Sequence, residues 1–235
     1  GYGISPKSAT LLKFTNRKKR ITMRQRKVKN EVERLAEHHR YLIEDPKARK
    51  GSWREVFENE NGIYAELGCG KGKFIMTLAE QNPDRNYIAI EGRGSIILRA
   101  LEKATREGLT NIVFVKEYIK DVTEYFAEAE LSGIYLNFND PWPKDRHAKR
   151  RLTHSRYLDG YRKVLNDGGC VEFKTDNADL FAFAVGEFES CGMKLLESTE
   201  DLHSAKLDAR NVTTEYEDKL REKGRIIKYC KVQAK

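Results

Sequence analysis

The sequence predicts an α/β fold, a doubly wound and mostly parallel sheet with helices on both faces, and three observations carry that expectation. Five short apolar runs, at 63–67, 87–90, 111–115, 133–138 and 170–174, alternate with stretches of helical character at 73–81, 95–107, 119–129, 153–165 and 177–190. Strand alternating with helix is the pattern of βαβ units, whose parallel strands are buried on both faces and read as near-continuous apolar runs. The first run passes straight into a glycine-rich turn, Gly68-Cys69-Gly70-Lys71-Gly72, that opens a helix. Two more strand candidates, 193–198 and 225–230, flank a long polar stretch. They complete a Rossmann-like, seven-stranded sheet with an antiparallel strand pair at one edge.

In chain order, residues 1–30 are basic with little apolar periodicity and read as a disordered extension. The first 22 hold Lys7, Lys13, Arg17, Lys18, Lys19 and Arg20 and no acid; without them the net charge falls from +8 to +2. Met23 follows directly, so 1–22 read as upstream sequence, and the global charge says little about partners. Residues 31–235 read as a single domain, a length that suits one core. A helix is expected over 31–43, with Val32, Leu35, His39 and Leu42 on one side. Lys47, Lys50 and Gly51 read as a loop, and Trp53 to Phe57 lead into the core. The four cysteines form no CxxC pair, which argues against a metal site and a disulfide framework. No apolar run approaches the roughly 20 residues of a bilayer span. The N-terminus lacks the apolar core of a signal peptide, so a cytoplasmic protein without membrane contact is expected.

The glycine turn is the first chemical signal. Gly68 and Gly70 let the backbone approach a ligand without side-chain clash. Glu91 ends the second strand, 21 residues past Gly70, where a carboxylate can accept both ribose hydroxyls of an adenosine. The spacing is G-x-G-x-G and not the dinucleotide fingerprint. Glu66, just before the turn, would repel a pyrophosphate but suits an amino group and a sulfonium. The loop resembles motif I of class I S-adenosylmethionine methyltransferases. In that group a residue after the third strand holds the adenine. Here Tyr118 has that place, with Glu117 beside it, and the choice between them stays open.

The fourth strand ends in Asn139-Asp140-Pro141-Trp142-Pro143, where a doubly wound sheet presents chemistry and two prolines stiffen the loop. Five of the next eight residues, Lys144 to Arg151, are Lys or Arg against one acid. A cationic strip beside an active-site loop is suited to phosphates of a nucleic acid.

The run 139–152 closely resembles the signature of bacterial tRNA (guanine-N7)-methyltransferases, as do Phe173 to Asn177 and Thr214 to Glu217 with Gly224 and Ile227. The resemblance extends from about Gln25 to Tyr229. It implies methyl transfer from S-adenosylmethionine to guanine N7 in tRNA, at position 46 of the variable loop. It implies that Glu66, Glu91, Asp140 and position 118 contact the cofactor. Lys144, Asp176, Thr214, Glu215, Tyr216 and Glu217 would contact tRNA or the target guanine. Arg146, His147, Ala148, Lys149, Arg150 and Arg151 would lie on the RNA backbone. Guanine N7 carries a lone pair and no proton, so Asp140 is expected to be catalytic without abstracting one, and Trp142 is a candidate to stack on the base. Monomer and homodimer stay open. The rivals are a methyltransferase for an exocyclic amine, an RNA-binding module with a dead pocket, and an NAD dehydrogenase.

Overall fold

The computed structural model describes residues 30–234. The basic extension expected at 1–30 lies outside the described residues, apart from Asn30. The elements in order are α1 (Glu31–Ala36), α2 (Trp53–Phe57), β1 (Ile63–Leu67), α3 (Lys73–Gln81), β2 (Asn86–Ile90), α4 (Gly94–Glu107), β3 (Ile112–Val115) and β4 (Leu131–Asn137). After these come α5 (Ser155–Val164), β5 (Leu165–Thr175), α6 (Ala178–Ser190), β6 (Lys194–Thr199), α7 (Glu215–Glu222) and β7 (Lys228–Gln233).

The seven strands lie in the order β3-β2-β1-β4-β5-β7-β6. The first five are mutually parallel, and β7 runs antiparallel between β5 and β6. The burial pattern explains the parallel part. β2 and β3 are buried at every position, because helices cover both faces. One face packs Phe74, Ile75, Met76, Ile97, Leu98 and Leu101 of α3 and α4. The other packs Trp53, Leu158, Tyr161, Leu180, Phe181 and Phe188. A small third cluster, Leu202, Leu220, Ile227 and Tyr229, lies under α7.

Three elements differ from expectation. The helix at 31–43 stops at Ala36, and Val32 is exposed. The chain then turns so that Phe114 N donates to Tyr41 O and Ile43 N to Phe114 O, which covers the outer edge of β3. The helix at 119–129 is a single 3-10 turn, Val122–Glu124, capped by the Asp121 side chain. Ala129 sits at φ 57°, which no helix permits, and the Glu130 carboxylate accepts from Gly51, Trp53 and Ala127 N–H groups. The polar stretch before the last strand contains α7, whose N-cap is Thr214.

Candidate active site

Strand order reverses between β1 and β4, so the loops leaving their carboxyl ends diverge and open a crevice. The loop after β1 is left-handed at Gly68 (φ 89°) and Gly70 (φ 58°). A Cβ at Gly70 would meet nothing within 4 Å, so that side of the turn is open to a ligand. Glu91 reaches this loop from the end of β2. Its Oε2 accepts from Gly70 N at 3.2 Å and its Oε1 from Arg93 N at 2.9 Å. Each oxygen keeps a lone pair for a hydroxyl. Glu91→Ala is expected to weaken S-adenosylhomocysteine binding by about 1.5–3 kcal/mol and tRNA binding less. Calorimetric titration giving wild-type cofactor affinity would remove Glu91 from the site.

Glu66 on β1 is 1% exposed. Asn137 Nδ2 donates to its Oε1 at 2.8 Å, while Oε2 has no partner. Burial pushes its carboxyl up to about 8, against the Asn137 hydrogen bond and the Lys174 charge. Between pH 4.5 and about 8 the folded state therefore holds a proton that the unfolded chain has lost. The contribution of Glu66 to stability falls as pH rises through that window. The melting temperature of the cofactor-free protein is expected to decline across it, and Glu66→Gln to flatten the decline; an unchanged slope in the variant would show that Glu66 is ionised. A carboxyl kept unpaired at this depth fits a ligand that brings its own cation, as an α-amino group does.

Two cavities share Gly68 and the stretch Asn137–Asp140. One, about 370 Å³, is walled by Glu91, Gly92, Glu117, Tyr118 and Trp142. The other, about 830 Å³, is walled by Glu66, Gly70, Asp176, Thr214 and Tyr216. Tyr118 lies flat against Gly92, where a Cβ would come within 2.4 Å of its ring. Glu117 lines the same wall. Gly68 thus joins the two cavities, with Glu91 on the wall of the smaller and Glu66 on the wall of the larger.

The loop after β4 carries the densest strain. Phe138 (φ 52°) and Trp142 (φ 41°) both hold left-handed conformations that non-glycine residues rarely adopt. Tethers on every side enforce them. Phe138 N donates to Lys174 O at 2.9 Å, and Asn139 Nδ2 to Leu67 O at 2.8 Å. Arg151 donates from Nε to Pro141 O and from NH2 to Trp142 O, both at 3.1 Å. Asp140 sits between the strained residues, exposed and facing both cavities.

Those tethers correct one expectation. Arg151 was grouped with the phosphate strip, but it is 9% exposed, and its guanidinium lies 4.4 Å from the Phe183 ring centroid. It braces the loop from behind. The rest of the strip forms a 3-10 turn, Asp145–Arg150, with Lys144, Arg146, Lys149 and Arg150 exposed and His147 and Ala148 half-buried. Arg150 stacks 4.9 Å from the Trp142 ring centroid, and His147 meets that ring edge-on. Loss of solvation, then the charges of Arg150, Arg146 and Lys144, hold His147 below the usual imidazole range. Trp142 is therefore already stacked, and it lines the smaller cavity rather than the larger. Half-exposed Tyr216, edge-on to Phe138, is presented to the larger one together with that ring.

Thr214 caps α7, its Oγ1 accepting from Glu217 N at 2.9 Å. Glu215 accepts from Lys73 N at 3.2 Å. Glu217 is the second correction: expected at the RNA, it is 0% exposed and salt-bridged to Lys174. Asp176 faces the cavity and pairs with Arg225 at 3.3 Å. Sequence reasoning missed Arg93, which lines both cavities, and Arg225. Arg93 stands two residues past Glu91, a spacing that was available as a signal; Arg225 offered none.

A family model described as "Putative methyltransferase" matches residues 60–230. A tRNA (guanine-N(7)-)-methyltransferase of Oceanobacillus iheyensis is 47% identical over 209 residues, which are 89% of this chain and 98% of that protein. Another, of Clostridioides difficile, is 45% identical over 212 residues, 90% of this chain and 99% of that one. The chain belongs to the tRNA (guanine-N7)-methyltransferase family. Its methyl donor is S-adenosylmethionine. A solved structure described as an antibiotic-related methyltransferase shares the class I methyltransferase fold, with a TM-score of 0.59 at 18% identity over 81% of this chain and 94% of that one. Among the described residues no helix is long and apolar enough to cross a membrane, and no group of three His, Cys, Asp or Glu is placed to hold a metal ion.

Proposed function

We propose that this protein methylates N7 of a guanine in tRNA, acting in the cytoplasm as one domain over 31–235, with the target at position 46 of the variable loop. The observation that carries the reading is the pair of cavities meeting at Asp140: the smaller, with Glu91, Tyr118 and Arg150 on its wall, suits an adenosine, and the larger has room for the amino-acid tail at Glu66 and for an extruded base beside Asp176 and Tyr216. The family relationship supports the substrate class, and the resemblance of 139–152 to the family signature supports the position.

S-adenosylmethionine, when bound, supplies a methyl group activated by a sulfonium. Glu66 takes its amino end, Glu91 its ribose, and Tyr118 or Glu117 its adenine. The remaining work belongs to the base. Guanine N7 needs no proton removed, so catalysis is positioning together with stabilisation of the cation that forms. Asp140 and Asp176 accept from the N1–H and N2–H edge and favour that cation. Tyr216 offers a face for stacking, which offsets part of the few kcal/mol needed to unstack a base. Lys144, Arg146, Lys149 and Arg150 hold the backbone without reading sequence.

Bulk tRNA incubated with labelled cofactor and then cleaved at alkali-labile sites tests this directly. Label and cleavage at position 46 are expected. Label in an alkali-stable nucleoside would favour an exocyclic amine, and no label would overturn the assignment.

A further inference from the structure

Lys174 touches neither cavity assigned to the cofactor and the base, yet it links two elements that wall them. It is 3% exposed on β5, and its ammonium has three N–H donors. All three are used: Asn211 Oδ1 at 3.1 Å, Val212 O at 2.8 Å and Glu217 Oε2 at 2.8 Å. The charge also lies 4.8 Å from the Phe74 ring centroid. On the far side of the pair, Asn211 Nδ2 donates to Glu217 Oε1 at 2.8 Å. The backbone carbonyl of the same lysine accepts from Phe138, the strained residue two places before Asp140. One residue thus ties down both the loop that carries Asp140 and the segment that carries Thr214 and Tyr216.

We propose that Lys174 is a positioning residue: through Glu217, Asn211 and Val212 it suspends the segment 211–217 so that Thr214 and Tyr216 wall the cavity they share with Asp140 and Asp176. The inference rests on the proposed methylation of tRNA. The apolar cluster under α7 is small; Val212 packs on the α3–α4 core, and Lys73 ties Thr213, Glu215 and Asp218 on the other side, so the inner side of the segment takes its orientation from Lys174. Glu217, three residues after the N-cap Thr214, has the place of a capping-box acid, but its carboxylate is spent on Lys174. A buried pair contributes little net stability over apolar replacements, whereas breaking one partner is strongly destabilising, so removing both charges separates the geometry the pair fixes from the stability it holds.

The test separates geometry from stability. Lys174→Met leaves a buried carboxylate unpaired and is expected to lose both thermal stability and activity. Lys174→Met with Glu217→Gln removes both charges. This double variant is expected to melt within a few degrees of wild type, to bind S-adenosylhomocysteine within about threefold, and to keep its KM for tRNA. Its kcat is expected to fall by about 10²-fold, the usual cost of an ångström-scale misplacement. A double variant that recovers both melting temperature and kcat overturns the proposal. Should it not fold, Lys174→Arg decides. That variant keeps the charge but has a planar fork of different reach; a reduced kcat at unchanged KM supports the proposal, and wild-type kcat overturns it. Wild-type protein that methylates no tRNA would sink the functional reading and this proposal together, whereas an active wild type matched by its variants would sink only this one.

Discussion

Asp140→Ala is expected to abolish methyl transfer while leaving the fold intact. The side chain is exposed, accepts no hydrogen bond among the described residues, and contributes nothing to the core. The loop around it is held by Phe138 N, Asn139 Nδ2 and Arg151, none of which depends on the Asp140 carboxylate. Asp140→Asn divides the two roles the residue can play. The amide keeps one acceptor but loses the charge that favours a cationic purine. A loss of about 10²–10³-fold in kcat, the scale of one removed stabilising group, would mean that electrostatics dominates. Substantial turnover by the Asn variant would mean that the residue mainly aligns the guanine edge. Neither variant is expected to remove from the pH–rate profile the acidic limb that a proton-abstracting base would give, since N7 carries no proton. Full activity of Asp140→Ala would place the chemistry elsewhere.

What could be read beforehand follows from where the signal resides. The parallel half of the fold was legible because β2 and β3, buried on both faces, have to be uninterrupted apolar runs, and α3 was read with its observed ends because Gly72 opens it and the chain leaves it at Asn82. Glu66, Gly68, Gly70, Glu91 and Asp140 could be picked out as candidates because each lies at or just past the carboxyl end of a strand, and they do line the two cavities there. The misreadings share a cause: a polar residue type does not reveal whether it faces water. Glu217 and Arg151 look like surface charges in sequence, and only their partners on β5 and on the Pro141 and Trp142 carbonyls show them to be internal braces. The helix expected at 119–129 failed for a similar reason, since the Asp121 and Glu130 side chains satisfy the backbone there in place of helical hydrogen bonds. The segment 41–43 reads as helical by spacing, but a sheet edge with open N–H and C=O groups competes for it and prevails.

Arg150 and Arg151 are adjacent in sequence and opposite in expected behaviour. Arg150 is exposed at the rim, so Arg150→Ala is expected to leave the melting temperature unchanged, weaken all tRNAs alike, and lower the salt slope of binding by roughly one unit if it meets one phosphate. Arg151 is buried, and its two hydrogen bonds hold the peptide carbonyls before and after Trp142, at the strained end of the Asp140 loop. Charged hydrogen bonds of this kind are worth about 1.5–3 kcal/mol each, and their loss leaves two carbonyls seeking partners. Arg151→Ala is therefore expected to lower stability by several kcal/mol and, with Asp140 no longer fixed, to reduce kcat about 10²-fold, while its salt slope stays that of wild type. Arg151→Lys will not rescue it, because a point-like ammonium cannot span two carbonyls as the planar guanidinium does. A measured salt slope separates the two residues: should Arg151→Ala flatten it as Arg150→Ala does, Arg151 leaves its brace when RNA binds, and the strain at Trp142 must be held by the RNA itself.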